Sequence, residues 1–426
     1  MELATEPAVN GQNLADRYQA VRSFTERLCE SLETEDFVVQ TMTDVSPTKW
    51  HLAHTTWFFE TFVLMKFSEN YTPFHPRYAF LFNSYYVQAG ERHERHRRGA
   101  LTRPTVADVY DYRAHVDQYM KVFLGDRPDL FAGGPNCVLE IGLNHEQQHQ
   151  ELLLTDIKHV FSENPLRPAF RDLSDAAAGD PTSMTWTPIE EGVHEIGYAG
   201  DGFHYDNEGP RHRQFLERVD ISNRLVTNAE FIQFMEDGGY TRPELWLMEG
   251  WATREQDDWT TPGYWEKVDG QWRRFTLGGL KPVGPNHPVC HVSYYEADAF
   301  ARWAGYRLPT EAEWEVASQD LPIEGNFAED GVLIPQPAGK GPGLQQMFGN
   351  LWEWTGSHYS AYPGYRVAEG AIGEYNGKFM VNQFVLRGGS LATSASHIRP
   401  TYRNFFHPPA RWQFTGIRLV REGRPI

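Results

Sequence analysis

An α+β multidomain protein is predicted, with a bundle of four long helices first and an irregular mixed domain after it. Three observations predict this. Apolar residues recur with a period near 3.6 from Asn13 to about Pro165. Residues 166–184 mix Pro, Ala, Gly and Asp without any period. Beyond them, short strand-like runs alternate with Gly and Pro punctuation. The bundle is therefore expected over 1–165, a linker over 166–184 and the second domain over 185–426.

The first helix carries Leu14, Tyr18, Val21, Phe24, Leu28 and Leu32 on one stripe. A second is announced by Ser46 as N-cap with Pro47 at the first helical position, and runs through TKWHLAHTTWFFETFVLMKF. The third follows Arg103-Pro104 and takes in TVADVYDYRAHVDQYMKVFL; the fourth takes in CVLEIGLNHEQQHQELLLTDIKHVF. Four amphipathic helices of this length make a bundle. The aromatic and basic stretch from Tyr71 to Arg103 is too long for a tight connection and is expected over one end of it. In the second half, helices are predicted from Thr227 to Met235, from Tyr294 to Gly305, and from Pro309-Thr310-Glu311 onward. The Trp-rich segment from Tyr240 to Gly278 reads equally as a lid or as loop packing.

With 40% hydrophobic and 14% aromatic residues the chain is globular. Its formal charge of −18 opposes nucleic acid, and no run of apolar residues is long enough to span a bilayer. Cys29, Cys137 and Cys290 are scattered and odd in number, which excludes a disulfide framework or zinc ribbon and points to a reducing compartment. The N-terminus shows no basic, then apolar, leader. A soluble, cytoplasmic protein that handles small molecules, with no nucleic-acid or membrane partner, is expected.

Chemistry concentrates on two helices. His145 and His149 of HEQQH stand at i and i+4, so both imidazoles share one face about a turn apart, with Gln148 beside them among apolar residues. His51 and His54 lie at i and i+3 of the second helix inside an aromatic run, and one of them could complete a three-histidine set across the bundle. Any one histidine alone reads as a core or surface residue; four on facing helices favour a metal. Three neutral imidazoles leave open positions on a six-coordinate ion, which suits non-haem Fe(II). HEQQH also fits the zinc-protease pattern with Glu146 as general base, although no third ligand follows at close range. Between the helices, Arg92, Arg95, Arg97, Arg98 and Arg103 form a solvated basic loop, a nucleic-acid patch or a clamp for a small carboxylate. Tyr85 and Tyr86 beside them are either core aromatics or hydroxyl donors.

SPTKWHLAHTTWFFE and NHEQQHQELLLTDIKH resemble the DinB-like bundle of the ergothioneine-biosynthesis sulfoxide synthases (the EgtB family). LVTNAEFIQFM, HPVCHVSYYEADAFARWAGYRLPTEAEWEVA, GNLWEWTGS, VLRGGS and RPTYRNFFHPPARWQFTGIRLVR resemble the formylglycine-generating-enzyme/sulfatase-modifying domain, which has a C-type-lectin-like fold. The likeness covers nearly the whole chain. It implies a non-haem Fe(II) enzyme that uses O2 to join the sulfur of cysteine or γ-glutamylcysteine to the imidazole of hercynine (Nα-trimethylhistidine) and oxidise it to a sulfoxide. The resemblance assigns His54, His145 and His149 as iron ligands and leaves His51 behind them. Gln148, Asn404 and Phe405 would contact hercynine, whose ammonium suits an aromatic neighbour. Arg95 and Arg98 would hold the thiol's carboxylate.

Members that use γ-glutamylcysteine carry an acidic residue and an arginine where this chain has Phe406 and Ala410, so free cysteine is the expected thiol. The tyrosine pair Tyr85 and Tyr86 is the expected catalytic hydroxyl source; Tyr375, in GEYNGKFM, is the alternative from the second half. Formylglycine generation needs reactive cysteines that ASHIRPTYRNFF lacks. An ovothiol- or selenium-pathway relative, and a noncatalytic module that binds hercynine-like ligands, stay open as alternatives.

Overall fold

The four periodic segments fold as α1 (Leu14–Cys29), α2 (Thr48–Phe59), α3 (Val106–Asp126) and α4 (Val138–Glu163). The computed structural model describes residues 14–126, 138–173, 179–180, 182–367 and 371–422. They fall into two units, one of 1–170, 200–206 and 366–378, the other of 171–199, 207–365 and 379–426. No helix among the described residues is long and apolar enough to cross a membrane.

Within the first unit α2 packs against α3 and α4, and α1 against the same two. Every residue of α2 is buried, so it has no solvent face, and its hydroxyls turn back on its own carbonyls: Thr56 Oγ1 donates to Leu52 O at 2.8 Å. A Cβ on Gly142 of α4 would lie 2.6 Å from the Phe59 ring, so glycine is what lets α4 approach α2 this closely. After Phe59 the chain widens into a π turn, Glu60–Leu64. Buried Glu60 there accepts from Tyr71 and Tyr112 hydroxyls at 2.5 Å each and from the Phe74 amide at 3.0 Å, tying the following loop to α3. The stretch from Tyr71 to Arg103 holds a short helix, Tyr78–Phe82, and two 3₁₀ segments, Val87–Ala89 and Arg95–Ala100.

One expected signal is overturned. Pro47, not Ser46, is the residue at the cap of α2, and no side chain caps the helix. Ser46 is drawn into longer-range bonds: its amide donates to Asp156 Oδ2 at 2.8 Å, and its Oγ accepts from Arg98 at 2.9 Å.

The second unit is built on a four-stranded sheet in the order Asn404–Phe406, Phe384–Arg387, Trp352–His358, Thr415–Gly416, antiparallel except for its last pair. A three-stranded sheet joins Trp186–Ile189, Val219–Ser222 and Val420–Glu422. Helices α5 (Asn228–Glu236), α7 (Tyr294–Trp303) and α8 (Glu311–Ser318) start where the sequence announces them, each with a capping box: Thr227/Glu230, Ser293/Glu296 and Thr310/Glu313. Between α5 and α7, the Trp-rich segment contributes α6 (Met248–Gln256) and strands Trp265–Val268 and Gln271–Thr276 of an antiparallel three-stranded sheet. Regular structure, not an irregular loop, fills it.

Candidate metal centre

His54 on α2 and His145 and His149 on α4 are buried and bring one ring nitrogen each to within 4.8 Å of one another. His54 Nε2 and His145 Nε2 are 3.2 Å apart, about the spacing of two nitrogens that share an ion at roughly 2.1 Å. The ring orientations follow from what lies behind each. His54 Nδ1 donates to the Phe82 carbonyl at 2.5 Å, so its Nε2 carries the lone pair. Its ring lies between the indoles of Trp50 (4.5 Å, 14°) and Trp57 (5.4 Å, 16°). His149 Nδ1 meets His51 Nδ1 at 2.8 Å, which leaves Nε2 as its inward donor.

Burial pushes His145 down to about 3, and burial with mutual repulsion holds His54 and His149 well below the ordinary histidine range. All three are neutral at physiological pH, as ligands must be. His145 Nδ1 has no hydrogen-bond partner, an orphaned buried nitrogen in the cluster. The donor set fits a divalent transition metal held by imidazole alone.

Glu146 does not face this cluster. One residue is a 100° step on a helix, and the step turns Glu146 toward α1 and α3. There its carboxylate accepts from Arg22 at 2.9 Å, Arg113 at 2.5 Å and Thr25 at 2.7 Å. Burial would raise this carboxyl, but Arg113 and Arg22 outweigh it and hold it down at about 2. The zinc-hydrolase reading fails here, because a carboxylate locked between two guanidiniums cannot serve as base beside the histidines.

Four tyrosines gather near His145 in this unit. Tyr375 lies 5.8 Å from the His145 ring and donates to Gln148 Oε1. Tyr205 stacks on Tyr375 at 5.2 Å and 13°, their hydroxyls 3.4 Å apart. Tyr85 stacks on Tyr86 at 4.6 Å and meets Tyr375 edge-on at 6.4 Å; Tyr86 rests 5.7 Å from Trp57. Glu374 anchors Tyr375 by accepting from the amides of Val87 (3.0 Å) and Gln88 (2.8 Å). Tyr205 carries no local signal in the sequence, and Asp156 only its place two turns beyond His149 on α4.

Arg98 is 4% exposed and lies flat on Trp50, Cζ 3.3 Å from the ring centroid, donating to Ser46 and Ser84 hydroxyls. No carboxylate among the described residues pairs with it, and burial, reinforced by Arg95, pushes its pKa down. Arg95 is exposed and donates to the Asp44 carbonyl at 2.6 Å.

In the second unit Phe405 stacks on Tyr359 at 4.0 Å and 11°. Asn404 Oδ1 accepts from the Phe405 amide at 2.9 Å. Phe406 meets Trp412 edge-on at 5.9 Å, and Ala410 is buried.

The DinB superfamily matches residues 17–153, and the sulfatase-modifying factor enzyme 1-like domain matches 170–330 and 336–423. A buried three-histidine site in such a bundle, with such a domain after it, is the make-up of a two-domain, metal-dependent enzyme. Hercynine oxygenase of Mycolicibacterium thermoresistibile is 34% identical over 331 residues, 70% of each chain. That of Mycolicibacterium smegmatis is 30% identical over 350 residues, 76% of this chain and 81% of the relative. The formylglycine-generating enzyme of Streptomyces coelicolor is 34% identical over 232 residues, 45% of this chain and 73% of the relative. The chain belongs to the hercynine oxygenase (EgtB) family.

Glu146→Gln should destabilise the bundle by about 3–5 kcal/mol in urea unfolding, because it leaves two buried guanidiniums short of an anion. Unchanged stability with abolished turnover would restore the general-base role.

Proposed function

We propose that this chain is an O2-dependent sulfoxide synthase of ergothioneine biosynthesis, working in the cytoplasm with Fe(II) held by His54, His145 and His149. It would join the sulfur of cysteine to the imidazole carbon between the two nitrogens of hercynine. The reaction balances with one O2: the thiol and the imidazole each lose a hydrogen, one oxygen atom goes to sulfur, and the other leaves as water. The observation that carries this reading is a cluster of three buried imidazoles, with no carboxylate in it among the described residues. Ferrous ion in such a set supplies one-electron and O2 chemistry with coordination positions to spare.

The protein's own residues supply orientation and protons. Gln148 is the proposed hercynine contact in the first unit, and Asn404 and Phe405 are those proposed in the second. Arg98 is the proposed seat of the thiol's carboxylate, supported by its burial without an anionic partner, with Arg95 assisting. The catalytic hydroxyl is assigned to Tyr85 and Tyr86; the bond from Tyr375 to Gln148 supports Tyr375 as a second donor. Preference for cysteine over γ-glutamylcysteine rests on Phe406 and Ala410, which offer a glutamyl arm no charge. The neighbouring Arg411 is already committed to Glu296 at 3.3 Å and lies 4.4 Å over Trp259.

Anaerobic loading with Fe(II), followed by O2, hercynine and cysteine, should give a product whose mass equals both substrates plus one oxygen less two hydrogens. Zinc-loaded protein should give none, and equal turnover after rigorous iron removal would refute the assignment. Compared at equal concentration, cysteine should exceed γ-glutamylcysteine in kcat/KM by about 10-fold or more; the reverse order would reject the role given to Phe406 and Ala410. Phenylalanine at Tyr85 or Tyr86 should lower sulfoxide formation by about 10²-fold or divert the enzyme to oxidising the thiol alone. Wild-type partition in both variants, with loss in Tyr375→Phe, would move the role to Tyr375.

A further inference from the structure

Behind His149 stands a second histidine, and behind that a carboxylate. His51 is 3% exposed; its Nδ1 lies 2.8 Å from His149 Nδ1 and its Nε2 3.0 Å from Asp156 Oδ2. Asp156 is equally buried, and the same oxygen accepts the Ser46 amide at 2.8 Å. Once His149 presents Nε2 to an ion, every proton in this row has one possible place. His149 Nδ1 carries hydrogen and donates to His51 Nδ1. That atom must then be bare, so the proton of His51 sits on Nε2 and is donated to Asp156.

We propose that His51 and Asp156 are positioning residues which fix the ring of His149 and pass the carboxylate's charge to it, making it the most electron-rich of the three ligands. His54 is backed by a neutral carbonyl, and His145 Nδ1 by no hydrogen-bond partner, so the centre is graded from one strongly donating imidazole to two weaker ones. This rests on the reading of the three histidines as a metal site. The Ser46 amide supports the arrangement: it holds Asp156 Oδ2 in line with His51, leaving Oδ1 beside Thr155 Oγ1 at 3.5 Å.

Asp156→Asn is the informative change. An asparagine carbonyl at the Oδ2 position keeps both bonds, while the charge is gone. Metal affinity, measured by competition with a chromophoric chelator, should fall about 10–100-fold. The Fe(III)/Fe(II) midpoint potential should rise, because a nearby negative charge favours the ferric state. His51→Gln, which can still accept from His149 but breaks the link to the carboxylate, is the second arm and should move both readouts the same way. A purely structural role would lower the melting temperature of the metal-free protein and leave the potential unmoved. Wild-type protein that takes up one metal per chain, with variants of unchanged affinity and potential, overturns the inference. Wild-type protein that takes up no metal overturns the metal site itself.

Discussion

Three neutral imidazoles held inside a protein have to point their lone pairs toward one another, and the first unit is organised around that requirement. Lone pairs in an apolar interior repel and go unsolvated, and two of the three rings are steadied by a hydrogen bond on the far side. The Phe82 carbonyl does this for His54, His51 does it for His149, and the two indoles sandwich the His54 ring. A helix with no solvent face becomes understandable on these terms. α2 is surrounded because its rings must be gripped from several directions, and Gly142 gives α4 the room to come near.

The same helix, α4, serves two electrostatic regimes. His145 and His149 face neutral, aromatic surroundings, whereas Glu146 and Gln150, one step round, face α1, where Gln150 donates to the Val21 carbonyl at 2.9 Å. The guanidiniums of Arg22 and Arg113 are thereby matched by Glu146, Asp117 and Glu26 on the far side of the helix. Were those cations unmatched, their field would oppose a divalent ion nearby. Glu146, with Asp117 and Glu26, thus neutralises the background of the histidine cluster.

The sequence made much of this legible. HEQQH and the His51/His54 pair showed two faces that could converge, because helical spacing alone fixes what shares a face. The helix starts near Thr227, Tyr294 and Thr310 were legible because each is set locally: in the structure a capping box at Thr227, Ser293 and Thr310 pairs an oxygen with amides only three residues away. Ser46 misled because its partners, Asp156 and Arg98, are distant in sequence, and local cap preference is worth only about 1 kcal/mol against two buried hydrogen bonds. The short motif around Glu146 kept a rival open for a different reason: a pattern of residue types does not say which way a side chain turns. Asp156 lies seven residues after His149, two turns along the same face, so a signal existed, but an aspartate near a helix end reads as surface. Tyr205 and Tyr375 come from segments far along the chain that join the bundle, and no local pattern announces that.

Arg98 is where the organisation meets its own cost. A guanidinium stripped of water and left without a carboxylate is expensive, and stacking on Trp50 repays only part of it, about 2 kcal/mol for a desolvated cation over an indole. Ser46 binds this cation through its hydroxyl and Asp156 through its amide, and Trp50 lies between Arg98 and His54. The cation and two of the three imidazoles therefore share fixed neighbours. An anionic ligand arriving at Arg98 would supply the missing charge at a point already coupled, through one serine and one indole, to the histidine cluster. On the proposed function, the buried positive charge is half of an ion pair whose other half arrives with the substrate.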